Sequence, residues 1–370
     1  MNNDDAETFT QERYQTHLDE KVARFSTLLS DHYTAALETF PSAPDGFRMR
    51  AEFRIWHDAE GAHYAMTHAG QKTPYVIRAF PIGTPLIGSL MPPLLSAINA
   101  SPTLAKRLFG IEFLTTLSGE ALVTLLYHRR LDSQWQLVAD KLQCDLGILL
   151  IGRSRKQVCV LERNYVTERF EMGNRSLDYR QVESGFTQPN AKINQKMLAW
   201  ADLCCSDNQG DLLELYCGNG NFTVALAGNF RRVLATEISK VATACAKHNL
   251  LHNSVHNVEL VRMSSEDITQ AIDRVRAFRR LENIDLDSYA FSTLLVDPPR
   301  AGLDPATLSL ATRFERIIYI SCNPTTLIAN LKTLSLTHRI VKAAAFDQFP
   351  WTEHLEVGLL LERRGCVGGS

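Results

Sequence analysis

The stretch "ELYCGNGNF" (214–222) decides the fold of the C-terminal half, because a glycine-rich turn there joins a strand to a helix. The run "DLLELYC" (211–217) is predicted to be the strand, and a helix is predicted to begin near the end of the quoted stretch. Gly218 and Gly220 permit a tight turn and let the backbone approach a ligand closely. This unit therefore predicts a ligand-binding strand–turn–helix element.

Strand and helix patterns alternate regularly from about residue 186 onward. Such alternation predicts an α/β fold with a doubly wound sheet, parallel wherever a helix connects two strands. The last two apolar runs, "HRIVKAAAF" (338–346) and "LEVGLLLERR" (355–364), are joined too closely for a helical crossover. They are therefore predicted to form an antiparallel pair at the edge of the sheet.

The first half has a different pattern, which predicts a mixed α+β region. A segment of about residues 8–38 lacks Gly and Pro after its polar start and has apolar residues at helical spacing, so it is predicted to be a helix. The part of about residues 46–180 is predicted to be rich in strands. In "FRMRAEFRIW" (47–56) apolar residues alternate with Arg48, Arg50, Glu52 and Arg54, which indicates a half-buried strand with a basic open face.

Length and composition indicate a globular protein of two domains, predicted at residues 1–180 and 181–370. The net charge of -2 neither supports nor excludes a nucleic-acid partner. None of the eight cysteines forms a C-x-x-C pair, so neither a metal nor an iron–sulfur cluster is expected. No run reaches the ~20 apolar residues of a membrane span, and the polar N-terminus is no signal peptide, so a cytoplasmic location is expected.

In a doubly wound sheet, ligands bind beyond the carboxyl ends of the strands. Glu237, at the end of "VLATEIS", could accept hydrogen bonds from ribose hydroxyls, and the incomplete G-x-G-x-x-G pattern favours a nucleoside without pyrophosphate, such as S-adenosylmethionine. The alternative is an ordinary glycine-rich turn with a solvated glutamate. Asp297 in "LLVDPPRAG" (294–302) is held by the prolines that follow, although it could also be an incidental residue at a strand end.

Cys322 ends the next strand, in "YISCNPTTL" (319–327), where Pro324 forces a turn into a helix. A helix N-terminus lowers the pKa of a thiol, which would favour the reactive thiolate, whereas the alternative is an inert buried cysteine. Glu356 begins the last strand, where partial burial would raise the pKa of its carboxyl and suit it to proton transfer. Asp347, Glu353 and His354 are nearby alternatives.

A thiolate and a base beside a methyl donor can methylate carbon 5 of uracil. Carbon 5 is too electron-poor to attack a methyl sulfonium directly, but addition of the thiolate to carbon 6 makes it nucleophilic. A base must then remove the carbon-5 proton so that the thiol can leave. Cys322 and Glu356 could supply the two groups.

Four motifs, "LLELYCGNGNF", "VDPPRAGLD", "YISCNPTTL" and "FDQFPWTEHLEVG", resemble in this order those of the RNA uracil-C5 methyltransferases. The segment "FTQPNAKINQKM" (186–197) resembles the opening of that family's catalytic domain. "MRAEFRIWH" and "LTTLSGEALVTLLYH" resemble the branch that makes 5-methyluridine at position 54 of the tRNA T-loop. The resemblance thus covers both halves of the chain.

The resemblance implies a class I methyltransferase domain of Rossmann-like fold with S-adenosylmethionine as the methyl donor, and an RNA-binding N-terminal domain. Cys322 would be the nucleophile and Glu356 the base. "TEHLE" (352–356) stands where the family pattern suggests "THHME", so Glu353 takes the place of a histidine while Glu356 keeps its position. The residues implied to line the methyl-donor site are Gln188, Tyr216, Gly218, Asn221, Glu237 and Asp297.

The T-loop uridine is paired inside tRNA, so the resemblance implies that the base is flipped out before reaction. Transfer-messenger RNA has a similar loop and is a further expected substrate. Ribosomal RNA or a small molecule as substrate, or an RNA chaperone with an inactive methyltransferase fold, are the alternatives. The candidate basic residues for RNA contacts are Arg48, Arg50, Arg54, Arg153, Arg155 and Lys156. The candidate rings for stacking on bases are Phe53, Trp56 and Phe109. For the arginines, the alternative is a strand face that is simply exposed to solvent.

Overall fold

The computed structural model describes residues 10–67, 70, 73–206 and 210–365. The chain forms two compact units. Unit 1 takes in Ala43–Arg169 and Arg180–Ala191, and unit 2 takes in Glu12–Ser42, Phe170–Tyr179 and the chain from Lys192 onward. The N-terminal helix thus packs in unit 2, which differs from the predicted division at residues 180 and 181.

Unit 2 is built on a sheet that has eight strands within the described residues, in the order β1-β16-β17-β15-β14-β11-β12-β13. Strands β11 to β15 pair in parallel through helical crossovers, which confirms the predicted α/β class. The strands are β1 (Glu38–Phe40), β11 (Asp211–Leu215), β12 (Val233–Thr236), β13 (Val258–Val261), β14 (Phe291–Val296), β15 (Arg316–Ser321), β16 (His338–Phe346) and β17 (Glu356–Arg363).

The helices of unit 2 follow the predicted alternation with two differences in length. The first helix ends at Leu29 rather than near residue 38, because the chain then turns and adds β1 to the sheet. The run "SSEDITQAIDRVRAFRRL" (264–281) has a pattern that predicts one helix, but the helix ends at Ile272 and is followed by short 3₁₀ turns. The helices are α1 (Gln11–Leu29), α5 (Ala191–Cys204), α6 (Asn221–Leu226), α7 (Lys240–His252), α8 (Ser265–Ile272), α9 (Pro305–Ala311) and α10 (Pro324–Leu334).

Strands β16 and β17 form the predicted antiparallel pair, but the prediction that they lie at the sheet edge is wrong. Strand β17 lies between β16 and β15 and is antiparallel to both. Strand β1 pairs in parallel with β16 and covers it on the outside. The outer position is taken by a segment about three hundred residues earlier in the chain, which no local pattern around β16 reveals.

The core of unit 2 lies between the sheet and its helices. Phe25 and Leu29 of α1 pack in one cluster with Leu294, Tyr319 and Leu331 from the central strands and α10. These side chains are at most 1% exposed. Helix α1 is therefore an integral part of this core.

Unit 1 contains a sheet with seven strands in its described part, in the order β4-β3-β2-β5-β6-β7-β8. The apolar face predicted for "FRMRAEFRIW" is buried. Polar turns near Ser118–Glu120 and Arg153–Lys156 join β5 to β6 and β7 to β8. The elements are β2 (Arg50–Asp58), β3 (Gly61–Thr67), β4 (Pro74–Val76), α2 (Pro85–Ala100), α3 (Pro102–Ala105), β5 (Leu108–Thr115), β6 (Ala121–Tyr127), α4 (Ser133–Leu146), β7 (Leu149–Ser154) and β8 (Gln157–Val160).

A two-stranded hairpin of β9 (Tyr165–Met172) and β10 (Arg175–Val182) carries the chain between the units. The turn end of the hairpin, Phe170–Tyr179, belongs to unit 2. There Tyr179 donates a hydrogen bond to the carbonyl of Asn221. Within the described residues, no helix combines the length and apolar composition that crossing a bilayer requires.

Candidate active site

The carboxyl ends of four neighbouring parallel strands meet at one edge of the unit 2 sheet. Tyr216 follows β11, Glu237 follows β12, Asp297 follows β14 and Cys322 follows β15. The four residues predicted from strand order therefore lie at the same edge, where ligands bind in sheets of this kind.

Glu356 reaches this edge through the antiparallel strand β17. Ser321 of β15 pairs with Val357 of β17, so the register continued by one residue places Cys322 opposite Glu356. Residues directly opposite in antiparallel strands have Cβ atoms about 4.5–5.5 Å apart. The sheet thus brings together the predicted nucleophile and the predicted base, which are far apart in the sequence.

Cys322, Asp297 and Glu356 interact electrostatically. Burial and the charge of Asp297 raise the pKa of the Glu356 carboxyl well above its ordinary value. Burial raises the pKa of Asp297 to about 7. Burial, followed by the charges of Glu356 and Asp297, also raises the pKa of the Cys322 thiol. The expectation that the helix N-terminus lowers this pKa is therefore wrong, because burial and two nearby acids outweigh it.

Arg300 is the positive charge that opposes this rise in the thiol pKa. The loop that carries it is tied to the turn after Cys322, since Asn323 Nδ2 donates to the Arg300 carbonyl at 2.9 Å and Thr326 Oγ1 at 3.2 Å. The Arg300 guanidinium also lies 2.9 Å from the ring nitrogens of His354. Its position beside the thiol is thus fixed by contacts at both ends of the residue.

A cavity of about 350 Å³ opens at Cys322. Arg300, Asn323 and His354 line it together with side chains of α1. Cys322 is partly accessible, whereas Glu356 is only 2% exposed. The thiol can therefore be reached from this cavity, whereas the Glu356 carboxyl is enclosed by the protein.

A second cavity of about 570 Å³ lies along the same edge, between Tyr216 and Glu237 on one side and the loop Pro299–Pro305 on the other. The Glu237 carboxylate accepts hydrogen bonds from the amide of Gly218 at 3.0 Å and of Ser239 at 2.6 Å. Tyr216 has a left-handed φ of 60°, uncommon for a residue with a side chain and often found at functional sites. Its hydroxyl donates to Ser265 at 2.7 Å.

Two of the predicted methyl-donor residues have other surroundings. The Asn221 amide exchanges two hydrogen bonds, of 2.8 and 2.9 Å, with the amide of Asn194, so its polar atoms already have partners. Gln188 belongs to unit 1, whereas Tyr216 and Glu237 belong to unit 2. For these two residues the role implied by the resemblance stays a prediction.

The alternatives to Glu356 occupy different positions. Asp347 is buried in an ion pair with Lys21, and Glu353 is exposed and paired with Arg24. His354 is exposed beside Arg300. None of the three starts the strand opposite Cys322.

Sequence reasoning missed several buried ionisable groups of unit 2, among them Glu214 and Lys21. Glu214 is fully buried in β11, with the Thr223 hydroxyl and amide facing its carboxyl, and burial raises its pKa to about 8. An acid inside an apolar strand run was the signal that could have found it. Lys21 is 2% exposed on α1, where its place in a charged helical pattern gave no such signal. No group of three or more His, Cys, Asp or Glu that could hold a metal ion occurs among the described residues.

Of the six basic residues predicted to contact RNA, all in unit 1, three make hydrogen bonds within the protein and the other three are exposed. Arg50 donates to the carbonyls of Gly185 and Glu183, and Arg153 makes a two-point contact with the Glu183 carboxylate. Arg48 Nε donates to the Arg50 carbonyl at 2.9 Å. Three further basic residues, Arg54, Arg155 and Lys156, are exposed.

Of the three predicted stacking rings, one is buried and two are exposed. Phe53 is 4% exposed and belongs to the core, in edge contact with Tyr64 and Phe80. Trp56 and Phe109 are 48% and 38% exposed. Phe109 stacks on the exposed His128 with ring centroids 3.9 Å apart. Arg54, Trp56, Phe109 and His128 line a common cavity on this sheet.

Comparison with known proteins agrees with these features. The model of the tRNA (uracil-5-)-methyltransferase family matches residues 13–364. A tRNA/tmRNA (uracil-C(5))-methyltransferase of Pseudomonas fluorescens is 51% identical over 358 residues, which cover 96% of this chain and 100% of that protein. One from Teredinibacter turnerae is 52% identical over 356 residues, covering 95% and 98%.

A solved structure has the same fold. The Pyrococcus abyssi tRNA (uracil-54, C5)-methyltransferase in complex with S-adenosyl-L-homocysteine superposes with a TM-score of 0.71 at 20% identity. The match covers 94% of this chain and 83% of that one. With the family model matching nearly the whole chain, this protein belongs to the tRNA (uracil-5-)-methyltransferase family.

Proposed function

We propose that this protein transfers a methyl group from S-adenosylmethionine to carbon 5 of the uridine at position 54 in the T-loop of tRNA, giving 5-methyluridine. Transfer-messenger RNA, which is named for the relatives, is a second proposed substrate. The observation that carries the proposal is the register that sets Cys322 opposite Glu356 at the ligand-binding edge of the sheet. A cytoplasmic location is proposed with it.

The second cavity fits the methyl donor. Glu237 stands where an acid accepts hydrogen bonds from ribose hydroxyls, and the backbone at Gly218 leaves room for close approach. The volume lies within the range of about 300–1,000 Å³ that small-molecule sites have. S-adenosylmethionine supplies an electrophilic methyl group, and its positive sulfonium would favour the ionised forms of the nearby acids. Tyr216, Glu237 and Asp297 are the residues proposed to hold it.

The thiolate of Cys322 adds to carbon 6 of the flipped uracil, forming a C–S bond and moving the electron pair of the 5,6 double bond toward carbon 5 and the carbonyl at position 4. Arg300 favours the thiolate, because it is the positive charge that lowers the thiol pKa. Carbon 5 then attacks the methyl group of S-adenosylmethionine, the S–CH3 bond breaks to leave S-adenosylhomocysteine, and carbon 5 becomes tetrahedral. It still carries its original proton at this stage.

Glu356 removes that proton. Its carboxyl is buried and has a pKa well above the ordinary value, so the ionised form is a stronger base than an exposed carboxylate. As the proton moves to Glu356, the double bond re-forms and the C–S bond breaks, which releases the Cys322 thiolate.

Covalent trapping tests the chemistry. A tRNA transcript containing 5-fluorouridine should form an adduct stable to denaturation, because fluorine cannot be removed as a proton. Cys322→Ala should abolish both the adduct and methylation, whereas Glu356→Gln should accumulate an adduct with ordinary tRNA. Cys144→Ala, at an exposed cysteine of unit 1, is the matched control. Methylation of carbon 5 by Cys322→Ala would contradict the mechanism.

The exposed basic residues of unit 1, with the Phe109–His128 stack, are proposed to contact the RNA. Each phosphate contact contributes about 0.7–0.9 to the slope of log affinity against log salt. Arg54→Ala with Arg155→Ala should therefore lower that slope by about 1.5, as measured by filter binding of tRNA from low to moderate salt. Arg313→Ala, at a half-exposed arginine of unit 2, is the control. An unchanged slope in the double variant would exclude this face.

A further inference from the structure

The loop of residues 347–355 connects β16 to β17 and leads directly into Glu356. It has no helix or strand of its own and contains Trp351 at a left-handed φ of 64°. Such a backbone persists in a residue with a side chain only when surrounding contacts hold it. The position of the proposed base thus depends on what holds this loop.

Lys21 on α1 holds the loop at both ends. Its ammonium donates to Asp347 Oδ1 at 2.5 Å, to the Phe349 carbonyl at 3.2 Å and to the His354 carbonyl at 3.1 Å. Lys21 is 2% exposed and Asp347 0%. A lysine ammonium has three donors, and all three point to this loop.

The same helix also contacts the middle of the loop. The Trp351 ring lies against Tyr14, with centroids 5.9 Å apart, and against His17 at 6.3 Å. Arg24 forms an ion pair with Glu353. Helix α1 therefore contacts the start, the tip and the end of the loop, and Lys21 is the buried centre of these contacts.

We propose that Lys21 is a positioning residue that fixes Glu356 for removal of the carbon-5 proton by tying the loop before it to α1. The inference rests on the proposed function. Lys21 borders the cavity at Cys322, but its three donors are already used within the protein. It therefore acts through the loop and takes no proton from the substrate.

The His354 carbonyl is the contact that matters most, because it lies two residues before Glu356. Without it, the segment just before β17 loses its buried hydrogen bond to α1, while Cys322 stays between β15 and the helix that follows it. A displacement of about 1 Å of a catalytic group can cost on the order of 100-fold in rate. Loss of Lys21 should thus slow the proton-removal step and leave the addition step intact.

The test uses the full-length protein with Lys21→Met and Asp347→Asn combined, so that no lone charge stays buried. The control is Arg231→Met with Asp211→Asn. That ion pair of unit 2 also has a buried aspartate, but Asp211 starts β11 at the opposite end from the site. Both variants lose a pair with a 2.5 Å contact. Ordinary tRNA and the 5-fluorouridine transcript are the two substrates.

In the Lys21 double variant we expect 5-methyluridine formation at saturating tRNA to fall about 10- to 100-fold. The denaturation-stable adduct with ordinary tRNA should accumulate, as proposed for Glu356→Gln, while adduct formation with 5-fluorouridine stays within about twofold of the wild type. The control variant should accumulate no adduct. The inference would be overturned if methylation and 5-fluorouridine adduct formation fell equally, or if no adduct with ordinary tRNA accumulated.

Lys21→Arg answers the same question if the double variant does not fold. It keeps the positive charge beside Asp347 but cannot match three convergent acceptors with a planar guanidinium. Adduct accumulation in this variant supports the inference, and a wild-type profile overturns it. A wild-type protein that neither methylates tRNA nor forms the 5-fluorouridine adduct would instead refute the proposed function.

Discussion

We compare the free energy of unfolding of unit 2 in Glu214→Gln with that in the wild type. The difference, variant minus wild type, should be larger at pH 8 than at pH 6. Glu214 is fully buried in the central strand β11, and its pKa is raised to about 8 by burial and by the charge of Asp297. The folded protein therefore keeps this proton at pH values where the unfolded chain releases it. Stability falls as pH rises from about 4.5 to about 8, because the unfolded state binds fewer protons.

The magnitude follows from the two pKa values. With about 8 in the fold and 4.5 in the unfolded chain, Glu214 destabilises the fold by about 2 kcal/mol at pH 6 and about 4 kcal/mol at pH 8. Glutamine removes this dependence and keeps the shape and a hydrogen-bonding amide for Thr223. The variant's stability relative to the wild type should therefore increase by about 2 kcal/mol between the two pH values.

Scanning calorimetry at pH 6 and pH 8 measures this difference. For a unit of this size, about 2 kcal/mol corresponds to about 4–8 °C in the Tm of the unit 2 transition. Glu259→Gln on β13 of the same sheet is the control, because Glu259 is exposed. If the difference in Tm between Glu214→Gln and the wild type is the same at both pH values, Glu214 is ionised in the folded protein. That result would refute the reasoning.

Two further predictions concern the loop after Asp297. Thiolate formation is proposed to precede addition, and burial raises the pKa of Cys322, so kcat/KM should rise by up to about tenfold per pH unit from pH 6 to 9. Arg300→Met should shift this rising part of the pH profile to higher pH. An unshifted profile would exclude Arg300 as the charge that stabilises the thiolate. Gly302→Ala should cost about 1–2 kcal/mol or more in urea unfolding, because Gly302 has a φ of +78° and a Cβ there would lie 2.9 Å from Asn330 Oδ1. Gly228→Ala, whose Cβ would meet nothing closer than 3.8 Å, should be neutral by comparison.

The strand–helix alternation and the placement of polar residues at strand ends could be predicted, because both depend on local periodicity. Tyr216, Glu237, Asp297 and Cys322 each directly follow a strand, and parallel strands place such residues at one edge. The placement of α1 in unit 2 could not be predicted in this way. Its charged face has the pattern of a solvated helix, and the partner of Lys21 lies 326 residues away in the chain.

The electrostatics of Cys322 show a second limit of local reasoning. The sequence places a helix N-terminus after the thiol, and that alone favours the thiolate. The pKa is nevertheless raised, because the fold buries the thiol and sets Asp297 and Glu356 nearby. Those two acids come from other strands, so only the assembled sheet determines the sign of the shift.

The direction of β17 explains how the nucleophile and the base come to share a site. Strand β15 ends at the ligand edge, and β17 begins there because it runs antiparallel to β15. A parallel strand in the same place would begin at the opposite edge, about 16–20 Å away for strands of five or six residues. The reversal thus puts a residue at the start of one strand beside a residue at the end of its neighbour. Because the two groups approach from adjacent strands, a change that shifts β17 by one residue would turn Glu356 to the other face of the sheet.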